Sequence, residues 1–276
     1  MPEPEALRGE IRRALSALRR RRPMLHAITN PVAMALTANG LLACGAASPV
    51  MADDPAEAAG MAAVSSAVLV NLGTFHPSTA QAMRSAAETA HGGGRPVVLD
   101  PVAAGASRLR LAFAEDLLGR GLVTAVKGNA DEVLALGGDP SASLVGYGTE
   151  AVDPAAGVDA ARALCRRHAL VAVRTGPVDY ATDGRRAFEV ENGTPLLALT
   201  TATGCLAGAL IAVFLAVEPP GAAAAACALA VLGVAAERAA QVAGGPGSFI
   251  PALLDALFAL TPEEAADAAR IRPGRP

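Results

Sequence analysis

The stretch "GLVTAVKGNADEVLALGG" (Gly121–Gly138) changes periodicity in the middle. "GLVTAVKGN" is a short run of small and branched apolar residues ending in Lys, Gly and Asn, which predicts a strand. "ADEVLALGG" has acidic residues first, apolar residues at helical spacing next, and a glycine stop. A strand passing through a short polar turn into a helix is half of a β-α-β unit.

Working outward, the same alternation recurs. "MLHAIT" (24–29) reads as a strand and "PVAMALTANGLLACG" (31–45) as a helix with Pro31 near its first turn. "ADDPAEAAGMAAV" (52–64) opens a helix with Asp53 or Asp54 as cap and Pro55 at the first position. "SAVLVNLGT" (66–74) is an apolar strand, "HPSTAQAMRSAAETAH" (76–91) a helix, and "RPVVLDPVAAGA" (95–106) a strand entering a loop. "VDPAAGVDAARALCRRHA" (152–169) is a helix and "LVAVRTG" (170–176) a strand. "VDYATDGRRAFEVEN" (178–192) is two extended runs around Asp183–Gly184, a hairpin signal. Helices follow over 204–217, 222–243 and 249–260, the last after the glycine turn "GGPGSF" (244–249), which reads most simply as a connection. An N-terminal helix occupies residues 1–22, with Leu7, Ile11, Leu15 and Leu18 on one face and Arg19–Arg22 as its solvated end. The tail, 262–276, closes on "IRPGRP", and those last residues are expected to fray.

Strands that are apolar throughout and alternate with helices mark a mostly parallel sheet covered on both faces. With no repeat and no linker, the whole of 1–276 reads as a single α/β domain. Half the residues, 52%, are hydrophobic, which is enough for a sizeable core. A net charge of −3 gives no field for nucleic acid or an anionic membrane. Cys44, Cys165, Cys205 and Cys227 form no CxxC pair and no metal-ligand spacing with the four His, so free thiols in a reducing cytoplasm are expected. The uncharged stretches Asn192–Val217 and Pro219–Ala236 are rich in Thr, Gly and Ala, and neither is expected to be apolar enough for long enough to cross a membrane.

In open α/β sheets, ligands bind beyond the carboxyl ends of the strands. Here those ends are "ITN", "NLGT", "LDPVAAGA", "VKGN" and "RTG". Neither a P-loop nor a G-x-G-x-x-G opens a helix, which disfavours a Walker NTPase and a simple dinucleotide enzyme. "TTATGC" (200–205) precedes an apolar helix, so its N–H groups can form an anion site and lower the pKa of Cys205. Pattern alone leans toward Cys205 as core filling. Asp100 ends a strand and Glu132 lies in the first turn of a helix. Two such carboxylates can hold Mg²⁺ through water, or serve only as turn former and cap. Lys127, the single lysine beside 22 arginines, closes a strand at the same rim, where a flexible ammonium suits a phosphate.

Seven stretches together resemble the hydroxyethylthiazole kinase family of the ribokinase-like superfamily: "HAITNPVAMALTANGLLACGAASPVMADDPAE", "VLVNLGT", "PVVLDPVAAGASRLR", "VKGNADE", "TGPVDYATDG", "TATGCLAGALIAVFLA" and "GPGSFIPALLDAL". They run in family order over 24–260. The resemblance implies a three-layer ribokinase-like fold and a homotrimer with active sites between subunits. It also implies transfer of the ATP γ-phosphate, with Mg²⁺, to the hydroxyethyl group of 4-methyl-5-(2-hydroxyethyl)thiazole in thiamine salvage. It assigns Met51, Asn30, Gly73 and Ala202 to the thiazole, Lys127, Thr175, Thr203 and Gly204 to the nucleotide, and Asp100 and Glu132 to the metal. It puts Cys205 where ribokinase relatives carry a catalytic Asp. Two positions depart from the family pattern: Ala202 and Ala103 stand where glycine is usual. If residue 202 takes a positive φ, its methyl adds about 1–2 kcal/mol of strain. Rival readings are a kinase for another small alcohol such as hydroxymethylpyrimidine or a sugar, a dehydratase or repair enzyme of the superfamily, and a non-catalytic thiazole-binding protein.

Overall fold

The computed structural model describes residues 4–137 and 154–276. Eight strands form one sheet in chain order: β1 (Leu25–Ile28), β2 (Ala67–Asn71), β3 (Val97–Asp100), β4 (Ala125–Asn129), β5 (Val171–Thr175), β6 (Asp179–Thr182), β7 (Ala187–Val190) and β8 (Ile271–Pro273). The first five are parallel, and β6 to β8 continue antiparallel. The helices are α1 (Pro4–Arg21), α2 (Met34–Cys44), α3 (Ala58–Val64), α4 (Pro77–Gly92), α5 (Arg108–Gly119), α6 (Ala130–Gly137), α7 (Pro154–His168), α8 (Thr203–Val217), α9 (Ala222–Val242), α10 (Pro246–Ala259) and α11 (Pro262–Ala268). This is the expected α/β architecture, a mostly parallel sheet between two helical layers.

Side-chain alternation along a strand divides the core in two. Leu25, Ala27, Ala67, Leu69, Val98, Ala125, Val171 and Val173 join the core with α1, α2 and α8–α10. Their neighbours Ile28, Val68, Val70, Val97, Leu99, Val126 and Ala172 join the core with α3–α7. Crossovers that step to the next strand each time with one hand cover a single face, so, α2 apart, the other face takes its helices from outside the β-α-β run. α8 lies across β1–β3 and α9 across β5–β7 to supply them.

The structure corrects several expectations. Helix α5 is absent from the elements read from the sequence; its apolar stripe (Phe113, Leu117, Leu118) is diluted by Arg and by an exposed Leu109. α2 begins at Met34, because the Asn30 side chain takes the Ala33 N–H at 3.1 Å and holds residues 31–33 in a turn. α3 begins at Ala58; Asp54 bonds the Ala56 N–H at 2.7 Å and shapes a preceding turn. "GGPGSF" is more than a connection, since Pro246 already opens α10. Gly138, half of the glycine stop after α6, and Val152–Asp153 at the head of the α7 stretch lie outside the described residues.

The tail does not fray. α11 carries a Thr261–Glu264 capping box, and β8 pairs with β7. Asn192 bonds Arg270 N–H at 2.6 Å and the Ala268 carbonyl at 3.1 Å, which pins the turn into β8. Pro273 is tolerated because β8 is the edge strand. α9 spans the residues expected of it, but against expectation it is long and apolar enough, by length and composition, to cross a membrane. It is a core helix here, with 83% of its most apolar window buried inside the fold.

Candidate active site

The alternation that builds the core also builds the site. On β2, β3 and β4 the residues in phase with Leu69, Val98 and Ala125 at the carboxyl ends are Asn71, Asp100 and Lys127. All three turn toward α8 and are buried. Asn71 and Asp100 are register partners, and Asn71 Nδ2 donates to Asp100 Oδ2 at 2.7 Å. Lys127 Nζ donates to Asp100 Oδ1 at 3.3 Å. Gly208 of α8 faces the pair: a Cβ there would sit 3.5 Å from Asp100 Oδ2 and 3.7 Å from Lys127 Cδ, ordinary contact distances. At Gly204, one turn earlier, a Cβ would sit 3.3 Å from Lys127 Nζ.

The first turn of α8 therefore stands over the cluster. Its cap is Ala202, at φ +70° and ψ −2°, with no side-chain capping bond. The Leu206 N–H to Ala202 carbonyl bond, 3.0 Å, begins the helical ladder, which leaves the N–H groups of 203–205 at the helix mouth. The positive end of the helix dipole and the Lys127 ammonium face the same space.

Cys205 joins the helix mouth to the strand ends. Its sulfur accepts from Asn71 Nδ2 at 3.3 Å and from Asn30 Nδ2 at 3.6 Å. Asn30 Nδ2 also donates to Asn71 Oδ1 at 3.0 Å, and the Gly73 N–H donates to that oxygen at 3.0 Å. Gly73 is required here, because a Cβ would come within 2.6 Å of Asn30 Nδ2. Asn30, Asn71, Gly73, Asp100, Lys127 and Cys205 thus form one hydrogen-bonded group.

Glu132 stands beside this group. Its carboxylate accepts from the Ala103 N–H at 3.1 Å and from the Asn129 N–H at 2.8 Å, and Asn129 Oδ1 takes the Glu132 N–H at 2.8 Å. Glu132 is thus both cap and site residue, and it fixes the loop after Asp100. Ala103 in that loop has φ +57°. Thr175 closes β5 with its hydroxyl on the Gly128 carbonyl at 3.2 Å, so it lines the rim next to Lys127.

The charges are set by burial first. Burial pulls the Lys127 ammonium down, but the carboxylates of Asp100 and Glu132 outweigh it and hold it charged, above its usual range. Burial raises Asp100 against the pull of Lys127 and Asn71, and raises Glu132 against the pull of Lys127. The lowering expected for Cys205 is overturned. Burial and the Asp100 charge raise its thiol above the usual range, and Lys127, Asn30 and Asn71 only partly offset them. A helix N-terminus worth about 0.3–1 kcal/mol does not match the loss of hydration of a buried thiolate.

Two expected residues lie outside the hydrogen-bonded group. Thr203 faces its hydroxyl to the Leu197 and Thr200 carbonyls, at 2.7 and 3.1 Å, so only its N–H is turned to the mouth of α8. Met51 is half-buried against the core on the α8 side and makes no hydrogen bond to the cluster. The sequence reading missed Asn71; its signal was its strand phase, two residues beyond Leu69. Lys127 is not a flexible surface ammonium but a buried, paired one.

The four carboxylate oxygens of Asp100 and Glu132 all have protein donors, yet each keeps a free lone pair. Among the described residues there is no group of three or more His, Cys, Asp or Glu that could enclose a metal. This donor set fits Mg²⁺, which retains waters and is held by one or two carboxylates together with phosphates.

Residues 15–263 match the hydroxyethylthiazole kinase family. The chain is 45% identical to the hydroxyethylthiazole kinase of Cereibacter sphaeroides (strain ATCC 17029) over 258 residues, 93% of this chain and 96% of that one. It resembles the solved hydroxyethylthiazole kinase structure from Pyrococcus horikoshii with a TM-score of 0.87 at 39% identity, covering 96% of this chain and 99% of the other. A ribokinase-like superfamily protein from Enterococcus faecalis shares the fold at 13% identity and a TM-score of 0.60, over 85% of each chain. With the family matched over most of its length and its strand ends converging beneath the open mouth of α8, the chain belongs to the hydroxyethylthiazole kinase family.

Proposed function

We propose that the protein transfers the γ-phosphoryl group of ATP to the hydroxyethyl oxygen of 4-methyl-5-(2-hydroxyethyl)thiazole, serving thiamine salvage in the cytoplasm. The observation that carries this reading is the meeting of Cys205, Asn71, Asp100 and Lys127 under the uncapped N-terminus of α8. Phosphoryl transfer demands mainly positioning and charge stabilisation. The N–H groups of Ala202 to Cys205 and the Lys127 ammonium face the space where the equatorial oxygens would gather charge. Lys127, Thr175, Gly204 and the Thr203 N–H line the nucleotide side. Met51, Asn30, Gly73 and Ala202 line the thiazole side.

Asp100 and Glu132 would hold Mg²⁺ through water, and the ion when bound neutralises phosphate charge. Cys205 orients the substrate hydroxyl. The P–O bond to ADP breaks as the bond to the hydroxyl oxygen forms, and the hydroxyl proton leaves late, toward the sulfur. A raised thiol pKa keeps most sulfur protonated near neutrality, so its contribution as a base sits at the low end of the about 10²–10⁴-fold range.

Ala202 takes the left-handed conformation, and α8 still starts regularly after it. That supports a working anion loop over a degraded, merely thiazole-binding one. Half-buried Met51 suits a flat apolar ring better than a sugar. We further propose a homotrimer with the site completed between subunits, in keeping with the family resemblance. The test is a panel of acceptors incubated with ATP and Mg²⁺. Phosphorylation of the thiazole alcohol ahead of hydroxymethylpyrimidine and sugars is the expected result, and the reverse order would replace this reading with another small-alcohol kinase.

A further inference from the structure

β1 carries a histidine at a position of 0% exposure, His26, between Leu25 and Ala27. Its phase turns it to the α3–α7 face, away from the cluster at the strand ends. Nε2 lies 2.7 Å from the Ala52 carbonyl oxygen. That oxygen can only accept, so Nε2 carries the proton and Nδ1 is bare. Nδ1 is buried with no hydrogen-bond partner. Burial lowers the ring's pKa against the pull of the Ala52 carbonyl and Glu57, in keeping with a neutral imidazole. A buried polar side chain left half satisfied costs stability that an aliphatic residue would not. The single bond it makes is therefore the place to look for its use.

That bond reaches the segment carrying Met51. β1 is the edge strand, and residue 50 pairs with it for one step: the Ala27 N–H donates to the Val50 carbonyl at 2.8 Å, and the Val50 N–H to the Leu25 carbonyl at 2.8 Å. Beyond Val50 the pairing stops. Among the described residues, the only hydrogen bond made by residues 51 to 53 is the one from His26. Met51 thus sits between two anchored carbonyls, Val50 held by backbone and Ala52 held by the imidazole.

We propose that His26 is a positioning residue for the thiazole pocket: its bond to the Ala52 carbonyl fixes the backbone beyond Val50, so that the Met51 thioether presents a set surface to the ring of the substrate. The inference rests on the assignment of Met51 to the thiazole. Because the tether serves one substrate only, its loss separates the two Michaelis constants.

The test measures steady-state constants for the thiazole alcohol and for ATP in wild type, His26→Leu and His26→Gln, with folding checked by circular dichroism. His26→Leu removes the donor and is expected to raise KM for the alcohol about tenfold while leaving KM for ATP unchanged. His26→Gln, which can still donate to Ala52, is expected to restore most of the loss. If His26→Leu does not fold, His26→Asn carries the same expectation, because its amide is too short to reach Ala52. An unchanged alcohol KM in a folded variant, or equal rises in both constants, overturns the role of His26 and leaves the kinase reading intact. A wild type that phosphorylates no thiazole alcohol overturns both.

Discussion

Lys127 Nζ and Asp100 Oδ1 form an ion pair at 3.3 Å in a place where both side chains are buried, under Gly208 of α8. A buried pair gains little over apolar packing, but breaking it by removing one partner costs about 3–5 kcal/mol. Lys127→Met and Asp100→Asn are each expected to lower stability by an amount of that order. The double substitution Lys127→Met with Asp100→Asn is expected to cost clearly less than the sum of the two singles in urea unfolding. Strict additivity would show that the pair is not coupled. Both singles are also expected to reduce turnover far more than they change the fold.

Cys205 accepts few protons as a base while its thiol stays protonated. Cys205→Ala is expected to slow turnover by about 10–100-fold with the fold intact. Because the pKa of this thiol lies above its usual range, wild-type kcat should climb as pH rises above neutrality, as more thiolate forms. Cys205→Asp supplies a carboxylate to the same Asn30 and Asn71 donors; it is expected to retain activity and to lose that alkaline rise. A wild-type rate that stays level through the alkaline range would remove sulfur from the proton path.

Ala202 and Ala103 hold φ values of +70° and +57°, both in the left-handed region. Each methyl costs about 1–2 kcal/mol there, against about 0.4–1 kcal/mol that alanine returns by restricting the unfolded chain. Ala202→Gly and Ala103→Gly are therefore each expected to raise stability by about 0.5–1 kcal/mol, read as a higher urea midpoint at unchanged slope. A lower midpoint in both would mean that the two methyls make contacts worth more than their strain.

Asp179 bonds the Gly176 N–H at 2.9 Å beside the Thr175 rim, and burial pushes its carboxyl up to about 6 against that bond and the nearby Arg174 and Lys127. The folded state therefore favours the protonated acid more than the unfolded chain does. Its contribution to stability is full below the unfolded value, about 3.9, and is lost as pH rises through about 6. Asp179→Asn keeps the acceptor and removes the titration. Relative to wild type, its urea midpoint is expected to gain between about pH 4.5 and pH 7. A difference that stays constant across this interval would place the titration elsewhere.

The strand ends were legible because they follow from phase and turn chemistry, which are local. "LDP", "VKGN" and "ITN" supply Asp100, Lys127 and Asn30 to the cluster as the sequence suggested. The charge state was not legible, because it depends on α8 arriving from about 100 residues further along the chain to bury the sulfur and the ammonium. The Thr203 hydroxyl is taken up by the Leu197 and Thr200 carbonyls ahead of α8, a local competition common to hydroxyl residues, and leaves its N–H for the helix mouth. The tail looked frayed because its partners, Asn192, Glu189 and Glu237, are distant in sequence and only the assembled fold brings them to Arg270 and Arg272.

The most direct test of the central claim is to incubate the purified protein with the thiazole alcohol, ATP and Mg²⁺ and to follow both products by phosphorus NMR. The account predicts thiazole phosphate and ADP appearing in equal amounts, with ADP formation dependent on the alcohol. ADP and free inorganic phosphate without a thiazole phosphate signal, or no reaction at all with bound alcohol, would contradict it.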